Sequence, residues 1–357
     1  MRIICLSKRS PLSRDLWERP YGRFFNLAKG LAEAGHEVHL VLLNYKRQIE
    51  FTQQRDGIIW HSVNLLPNPL AYYSFVKTLA EEAHTDWLLG FSDTYFGICA
   101  VSVAGSVGAR SLIDAYDNYE SYIPWLKPLH WLWRRALKRA SALTAAGPGL
   151  LDKISVDRPR DADNAQVIAM AADPMFCAGN KHAAREHLRL PKDKVLIGYC
   201  GSIFSSRGIS VLFEAFHSLA ARNPAVDFVL TGRKNLELNV PENTHWLGYL
   251  EDKSMVDVFR SLDVLVAVNE DSSFGNYSYP VKIYEALASG TPVLASATAS
   301  TKYVLEDYPE ALFAAGSSEA LQQQLEAFIT RPYSVQSKGS GWDEQVRCLE
   351  SLLTKAN

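Results

Sequence analysis

The sequence has no C-x-x-C pair. Its five cysteines, Cys5, Cys99, Cys177, Cys200 and Cys348, are scattered and odd in number. That spacing argues against a zinc site or a disulfide framework and for reduced thiols in a cytoplasmic setting. No stretch approaches the ~20 uninterrupted apolar residues a bilayer-spanning helix needs. The opening MRIICLSKRS holds an apolar run of only four residues, too short for the core of a secretory signal. A cytoplasmic chain is therefore expected, with contact at the inner face of a membrane left open. Charge of one sign is also missing. A net charge of −2 supplies no global field toward nucleic acid, so no nucleic-acid partner is expected. Neither an internal repeat nor a low-complexity segment is visible.

What is present is a soluble, globular balance, with 47% apolar and 21% charged residues in a chain of 357. That length exceeds one ordinary core and suggests two domains. Strand and helix patterns alternate almost throughout. RIICL, HEVHLVLLN, DWLLGFS, ARSLIDAY and SALTAAG read as short buried strands, and GRFFNLAKGLAEAG carries Phe24, Leu27, Ala28 and Leu31 at helical spacing before a stop at Gly35. The rhythm restarts near Val167 with VLIGYCGS, VDFVLTG, THWLGYL and DVLVAVN as strands, and GISVLFEAFHSLAARN, KSMVDVFRSL and AGSSEALQQQLEAFIT as helices. Alternating β and α with Val-, Ile- and Leu-rich strands implies two parallel, doubly wound sheets covered on both faces. Such domains bind ligands at the carboxyl ends of their strands, so a cleft between the two is the expected site.

Two segments of the second half carry candidate chemistry. YCGSIFSSRGISVLFEAF reads strand, small-residue loop, arginine, glycine, helix. Gly201 permits a tight turn, the amides of 205–209 fall at a helix N-terminus, and Arg207 adds a forked cation suited to phosphate. A serine-rich loop with a solvated arginine is the plain alternative. SYPVKIYEALASGTPVLAS places Pro280 to begin a helix, leaving the amides of 280–283 without internal partners. Lys282 and Glu285 share a face at i, i+3. A carboxylate there can accept two hydrogen bonds from a vicinal diol such as a ribose; an ordinary exposed Lys–Glu pair is the alternative.

P-x-K-x-x-E-A-L-A-S-G-T-P-V-L-A resembles the nucleotide-sugar signature of the GT-B glycosyltransferases, specifically the large retaining family 4 (group 1). GYCGSIFSSRGISVLFEAFHSLA, FVLTGR, THWLGYLEDKSMVDVFRSLDVLVAVN, ERPYGRFFNLAKGLAEAGHEVHLVLLN and GWDEQVRCLESLL resemble other segments of that family, so the likeness covers nearly the whole chain. The resemblance implies an acceptor-binding domain over 1–168, a nucleotide-sugar-binding domain over 169–335 and a closing helix over 336–357 that returns to the first domain. It implies that Arg207 and Lys282 neutralise the donor diphosphate, that Glu285 binds the ribose, and that Gly22 lets the backbone approach the donor. Gly201, Ser202, Gly208, Arg233, Tyr277, Ser278, Tyr279, Pro280 and Val281 are implied to line the donor. The chain departs from the family pattern at four places. Tyr277 stands where a glutamate often contacts the donor sugar, Ser202 where an arginine follows the strand glycine, Met170 and Ala171 where Asn-Gly is usual, and Tyr116 where a histidine is frequent.

Transfer of a glycosyl group builds negative charge on the leaving diphosphate. Two cations and helix-end amides aimed at it stabilise that charge, so neither a metal nor a resident cofactor is expected; the nucleoside-diphosphate sugar is itself the donor substrate. Asp161 and Asp163 lie in the polar loop DRPRDADNA, where a surface role competes with a metal role. In the first domain, IDAYDNYESY puts Asp114, Asp117 and Glu120 at and beyond a strand end, facing the expected cleft. Asp117 is the chosen group to orient an acceptor hydroxyl, with Asp93 second unless it caps the following helix.

YIPWLKPLHWLWRRALKRA carries five Lys or Arg and no acid. Helical spacing turns Leu129, Leu132, Trp133, Ala136, Leu137 and Ala140 to the core and leaves Trp131, Arg134, Arg135, Lys138 and Arg139 opposite. Residues 131–139 then suit an anionic membrane surface or a lipid-phosphate acceptor, against the alternative of a solvated helix face. The expected function is transfer of a sugar from a nucleoside diphosphate to a glycan or lipid-linked acceptor, in surface polysaccharide or glycolipid synthesis. Two others compete: a sugar-nucleotide epimerase on the same fold, and a nucleotide-binding subunit without catalysis.

Overall fold

Strand β1 (Arg2–Lys8) shows why the sheets are doubly covered: Ile3, Ile4, Cys5 and Leu6 are all fully buried, so both faces of the strand meet helices. In the computed structural model, which describes residues 1–11, 14–158, 164–201, 203, 208–233, 239–334 and 341–355, β1 lies near the middle of the first of two units. That unit comprises Met1–Met170 with Ser340–Asn357, and the second comprises Ala171–Gly339.

The first unit's sheet adds β2 (Glu37–Asn44), β3 (Phe51–Arg55), β4 (Ile58–Asn64), β5 (Trp87–Gly90), β6 (Arg110–Ala115), β7 (Ala142–Ala145) and β8 (Ala165–Val167). Their order is β3-β4-β2-β1-β5-β6-β7-β8, parallel except for β3, which runs antiparallel to β4. The β3–β4 hairpin is absent from the sequence reading. Its turn is Asp56-Gly57, both residues at positive φ, with Arg55 opposite Ile58. Asp-Gly between two strands is the strongest short hairpin signal, because a two-residue turn of that hand needs φ > 0 twice.

Helices α1 (Gly22–Glu33), α2 (Ala71–Glu82), α3 (Thr94–Val107), α4 (Lys127–Arg139) and α5 (Pro148–Ser155) connect these strands. Helix α1 buries Phe24, Leu27, Ala28 and Leu31 as its spacing requires. Tyr72, Val76, Phe96 and Val103, from α2 and α3, pack with Ile4, Leu6, Val41 and Leu88 into one core. Helix α4 buries His130, Trp133, Ala136 and Leu137, but Leu132 is exposed, contrary to the expected stripe. Helix α4 packs mainly on α3 and to a lesser extent on α5.

The second unit is all parallel. Strands β9 (Val195–Cys200), β10 (Val226–Thr231), β11 (Thr244–Gly248), β12 (Val264–Ala267), β13 (Val293–Ser296) and β14 (Leu312–Phe313) take the order β11-β10-β9-β12-β13-β14. Its helices are α6 (Lys181–His187), α7 (Ile209–Arg222), α8 (Asp252–Ser261), α9 (Val281–Ala288), α10 (Ala299–Val304) and α11 (Ser318–Thr330). Phe213, Phe216, Leu321 and Leu325, from α7 and α11, fill one face of the sheet; Val258, Phe259, Ile283 and Ala286, from α8 and α9, fill the other.

The closing helix, α12 (Trp342–Lys355), belongs to the first unit and lies on α1. A Cβ at Gly30 would stand 2.3 Å from the Val346 side chain, so glycine is needed there for close approach. His36 Nε2 meets Glu350 Oε1 at 3.0 Å.

Candidate functional site

The second sheet reverses its winding between β9 and β12, and in an open α/β sheet ligands bind outside the strands' carboxyl ends at such a reversal. Gly201 and Gly208 follow β9; Asn269 and Glu270 follow β12. A Cβ at Gly201 would come within 3.2 Å of the Tyr199 hydroxyl. Ser202 and Arg207, implied donor residues, lie outside the described residues. Gly208, at φ +68, is the N-cap of α7, and its N–H donates to Glu270 Oε1 at 3.1 Å. The amide expected to face a phosphate is therefore held by a carboxylate of the chain itself. Arg233, just past β10, lays its guanidinium over the Tyr249 ring at 4.8 Å, and its carbonyl accepts from Ile203 N–H.

Helix α9 corrects the expected set of open amides. Pro280 is the N-cap rather than the first helical residue and has no N–H, and Ile283 N–H already donates to the Pro280 carbonyl at 3.0 Å. Among the described residues, Val281 and Lys282 are left to offer theirs. Lys282 Nζ lies 2.7 Å from Glu285 Oε2. The side chains differ in exposure, 36% for Lys282 and 8% for Glu285, so this is not the exposed pair of the plain alternative. Apart from this contact, no group among the described residues donates to Oε2. Burial raises the Glu285 carboxyl above its usual range, with Lys282 pulling the other way. Burial alone would depress Lys282, but the adjoining carboxylate outweighs it and raises its pKa. The ammonium also sits 5.6 Å from the centre of the Phe259 ring. Cys200, at the end of β9, is pushed up to about 11, chiefly by burial, and stays a thiol.

The segment leading into α9 is braced from several sides. A Cβ at Gly275 would stand 2.0 Å from the Glu270 carbonyl, so two backbones touch there. Asn276 donates to Asp271 Oδ1 at 2.6 Å and accepts from Ala299 N–H at 2.9 Å. Tyr277 closes a short 3-10 turn, half-buried and eight residues before Glu285. Ser278 is half-buried, and the buried Tyr279 meets the Tyr303 ring edge-on.

In the first unit, Gly22 opens α1 at φ +71, with nothing within 4 Å of where a Cβ would be. Its glycine is required by backbone conformation, not by crowding. Asp114 does not belong with the acceptor candidates. It is buried inside β6 and bridged by Arg23 Nε at 2.8 Å and Nη2 at 2.7 Å, with the Thr144 hydroxyl donating at 2.6 Å. The same arginine donates to the Ile168 and Ala169 carbonyls at 2.6 and 3.1 Å. Its alternation in the strand turns Asp114 inward, which the sequence reading overlooked. Arg23 was missed with it; an arginine in an apolar helix face was the available signal.

Asp117, half-buried beyond β6, accepts from the Tyr122 hydroxyl at 2.6 Å. Glu120 is held by Arg134 through two hydrogen bonds, 2.7 and 2.9 Å, which lower its pKa. Asp93 takes the capping alternative, accepting Tyr95 N–H at 3.0 Å at the start of α3, while Lys8 lies 3.9 Å away. Burial raises its pKa against the pull of Lys8. Tyr116 donates to the Ser92 carbonyl, and Met170 and Ala171 are buried. Asp161 and Asp163 lie outside the described residues. Among the described ones, no three His, Cys, Asp or Glu converge as metal ligands would.

Two α/β units of this winding, with a Pro-x-Lys-x-x-Glu helix at the reversal of the second sheet, define a class that comparison with known proteins identifies. A family model described as glycosyl transferase 4-like domain matches residues 23–171, and one described as glycosyl transferases group 1 matches 180–340. The chain belongs to the group 1 glycosyltransferases, transferases of GT-B fold. It is 28% identical over 178 residues to a D-inositol 3-phosphate glycosyltransferase of Stackebrandtia nassauensis, covering 44% of this chain and 39% of that protein. With a phosphatidyl-myo-inositol mannosyltransferase of Mycobacterium leprae it shares 32% over 130 residues, 34% of each. The matches thus span well under half the length of these curated relatives. Among solved structures, sucrose-phosphate synthase of Thermosynechococcus elongatus superposes with a TM-score of 0.73 at 15% identity, covering 99% of this chain and 97% of the other. HepE of Anabaena in complex with UDP-glucose gives 0.70 at 15%, covering 100% and 98%.

Proposed function

We propose that this chain is a retaining family 4 enzyme that moves a sugar from a nucleoside-diphosphate sugar to a glycan or lipid-linked acceptor, in surface polysaccharide or glycolipid synthesis. The observation that carries this reading is the Lys282–Glu285 pair: sheltered, in contact with one another, and short of hydrogen bonds. A diphosphate accepts from Lys282 and from the amides of Val281 and Lys282, while a ribose diol donates to the Glu285 carboxylate. Arg207 is the second cation of the diphosphate site, and an arriving phosphate takes the Gly208 amide from Glu270. Solved neighbours that hold UDP and UDP-glucose support a uridine nucleotide as the first donor to try. In the first unit Asp117 orients the acceptor hydroxyl, once freed from Tyr122. The chain works in the cytoplasm at the inner face of a membrane, a setting favoured by the cationic residues 131–139.

Charge on the leaving diphosphate grows in the transition state, so Lys282→Ala lowers kcat more than it raises the donor KM. The measurement is release of UDP from UDP-sugars, with and without acceptor and with and without a chelator. Turnover that survives Lys282→Ala, or that disappears with the chelator, contradicts the metal-free assignment. Nucleotide binding without any donor turnover would point instead to a binding subunit.

A further inference from the structure

Helix α4 and the turn before it concentrate exposed apolar surface. Of the large hydrophobic side chains exposed among the described residues, six fall within residues 122–132: Tyr122, Ile123, Trp125, Leu126, Trp131 and Leu132. Trp125 and Trp131 are 76% and 62% exposed. Single exposed apolar residues are ordinary; this many together on a short segment mark an interaction surface.

The segment is built, not loose. Leu126 N–H donates to the Ile123 carbonyl at 3.1 Å, Lys127 N–H to the Trp125 carbonyl at 2.9 Å, and the buried His130 ring bonds the Ile123 carbonyl at 3.0 Å. The apolar side chains are thus held on a closed turn that leads straight into α4. The helix adds cations and no acid. Arg134 is neutralised by Glu120, leaving Lys127, Arg135, Lys138 and Arg139 along the helix that follows the apolar turn, and Arg135 lies 5.6 Å from the Trp131 ring.

We infer that residues Tyr122–Leu132 insert into the surface of an anionic lipid bilayer, with the flanking cations of α4 on its headgroups. The charge decides between occupants. A second protein would cover apolar side chains equally well, but indoles beside Lys and Arg that have no acidic partner among the described residues match the headgroup boundary, where rings sit half in and cationic stems snorkel to phosphate. This goes beyond an electrostatic contact through residues 131–139: the apolar turn anchors, and the charges orient. Tyr122, which holds Asp117, lies on the same turn, so the anchor is one hydrogen bond from the residue assigned to the acceptor. The inference does not depend on donor chemistry, and its test reads no turnover.

The test is co-sedimentation of the whole chain with vesicles of phosphatidylcholine alone or mixed equally with phosphatidylglycerol. The parent binds the anionic vesicles and keeps part of that binding in high salt, since inserted apolar surface is not screened. Trp125→Ala with Trp131→Ala cuts the bound fraction at least tenfold at any salt without lowering the melting temperature. Changing Lys127, Arg135 and Lys138 to Gln weakens binding at low salt only. Brominated lipid quenches the parent's tryptophan emission more than the double variant's. No binding to anionic vesicles at low salt overturns the inference, as does a double variant that binds like the parent. So does self-association that the double variant abolishes, which would assign the turn to a second copy of the chain.

Discussion

A sheltered cation–carboxylate pair from each unit, Arg23–Asp114 in the first and Lys282–Glu285 in the second, can be set side by side, and the two are built to opposite rules. Arg23 and Asp114 satisfy each other through two parallel hydrogen bonds, with Thr144 and two backbone carbonyls taking what remains. Lys282 and Glu285 share one contact, with a carboxylate oxygen that no other group among the described residues reaches and a lysine more than a third exposed. A saturated pair has nothing to offer a ligand. An under-satisfied one holds its energy in reserve until hydroxyls and phosphates arrive. Burial and charge alone do not mark a site; unused hydrogen-bonding capacity does.

Breaking the saturated pair is expected to have the largest effect. Asp114→Asn leaves Arg23 buried without its counter-charge and costs about 3–5 kcal/mol of stability, a fall of about 10 °C in melting temperature. Calorimetry checks it. If the variant melts with the parent, the pair is not structural. Glu285→Ala should show the reverse pattern: nucleoside-diphosphate affinity weaker by about 1–3 kcal/mol, with stability changed by less than about 1 kcal/mol, because Lys282 can turn to water. Titration calorimetry beside a melting curve reads both, and a melting loss as large as that of the Asp114 variant would erase the distinction.

A third pair sharpens the comparison by having no fixed charge. His39 Nδ1 and His61 Nε2 are 3.0 Å apart and stacked, with Thr52 from β3 on His61 Nδ1, Phe75 from α2 against its ring, and Glu37 on His39. Burial, then His39, lowers the His61 pKa to about 4. The folded chain thus stays unprotonated at His61 between pH 6.5 and 4 while the unfolded chain takes up a proton. Stability is full above about pH 6.5 and falls with acid, by up to about 1.4 kcal/mol per pH unit through that window. Urea midpoints against pH should show this limb, and His61→Gln should flatten it. An unchanged limb would move the acid sensitivity elsewhere.

The sequence made the parallel sheets legible because buried strands such as RIICL and VDFVLTG write their burial as unbroken apolar runs. The hairpin β3–β4 was missed because an exposed edge strand, FTQQR, carries no such run; only Asp56-Gly57 announced it. Pro280, Lys282 and Glu285 were legible as a helix start with a same-face pair. That Glu270 holds the Gly208 amide depends on groups meeting across loops, and that the Lys282–Glu285 pair is sheltered depends on what packs over α9; spacing shows neither. Asp114 was misread for a related reason. One residue along a strand reverses the direction of a carboxylate, and only the strand's register says which way it points.

The return of α12 to the first unit has a consequence for synthesis. Residues 1–170 are made before the second unit, yet the helix that covers Gly30 with Val346, meets His36 with Glu350 and takes the Ala169 amide on Gln345 is made after it. Chains elongate at about 5–20 residues per second, so the first unit waits about ten seconds or longer with that side of α1 uncovered. The second unit, continuous in sequence, can finish while its predecessor is still open. The order of completion thus inverts the order of translation, and a nascent chain's exposure to chaperones and proteases is concentrated on α1.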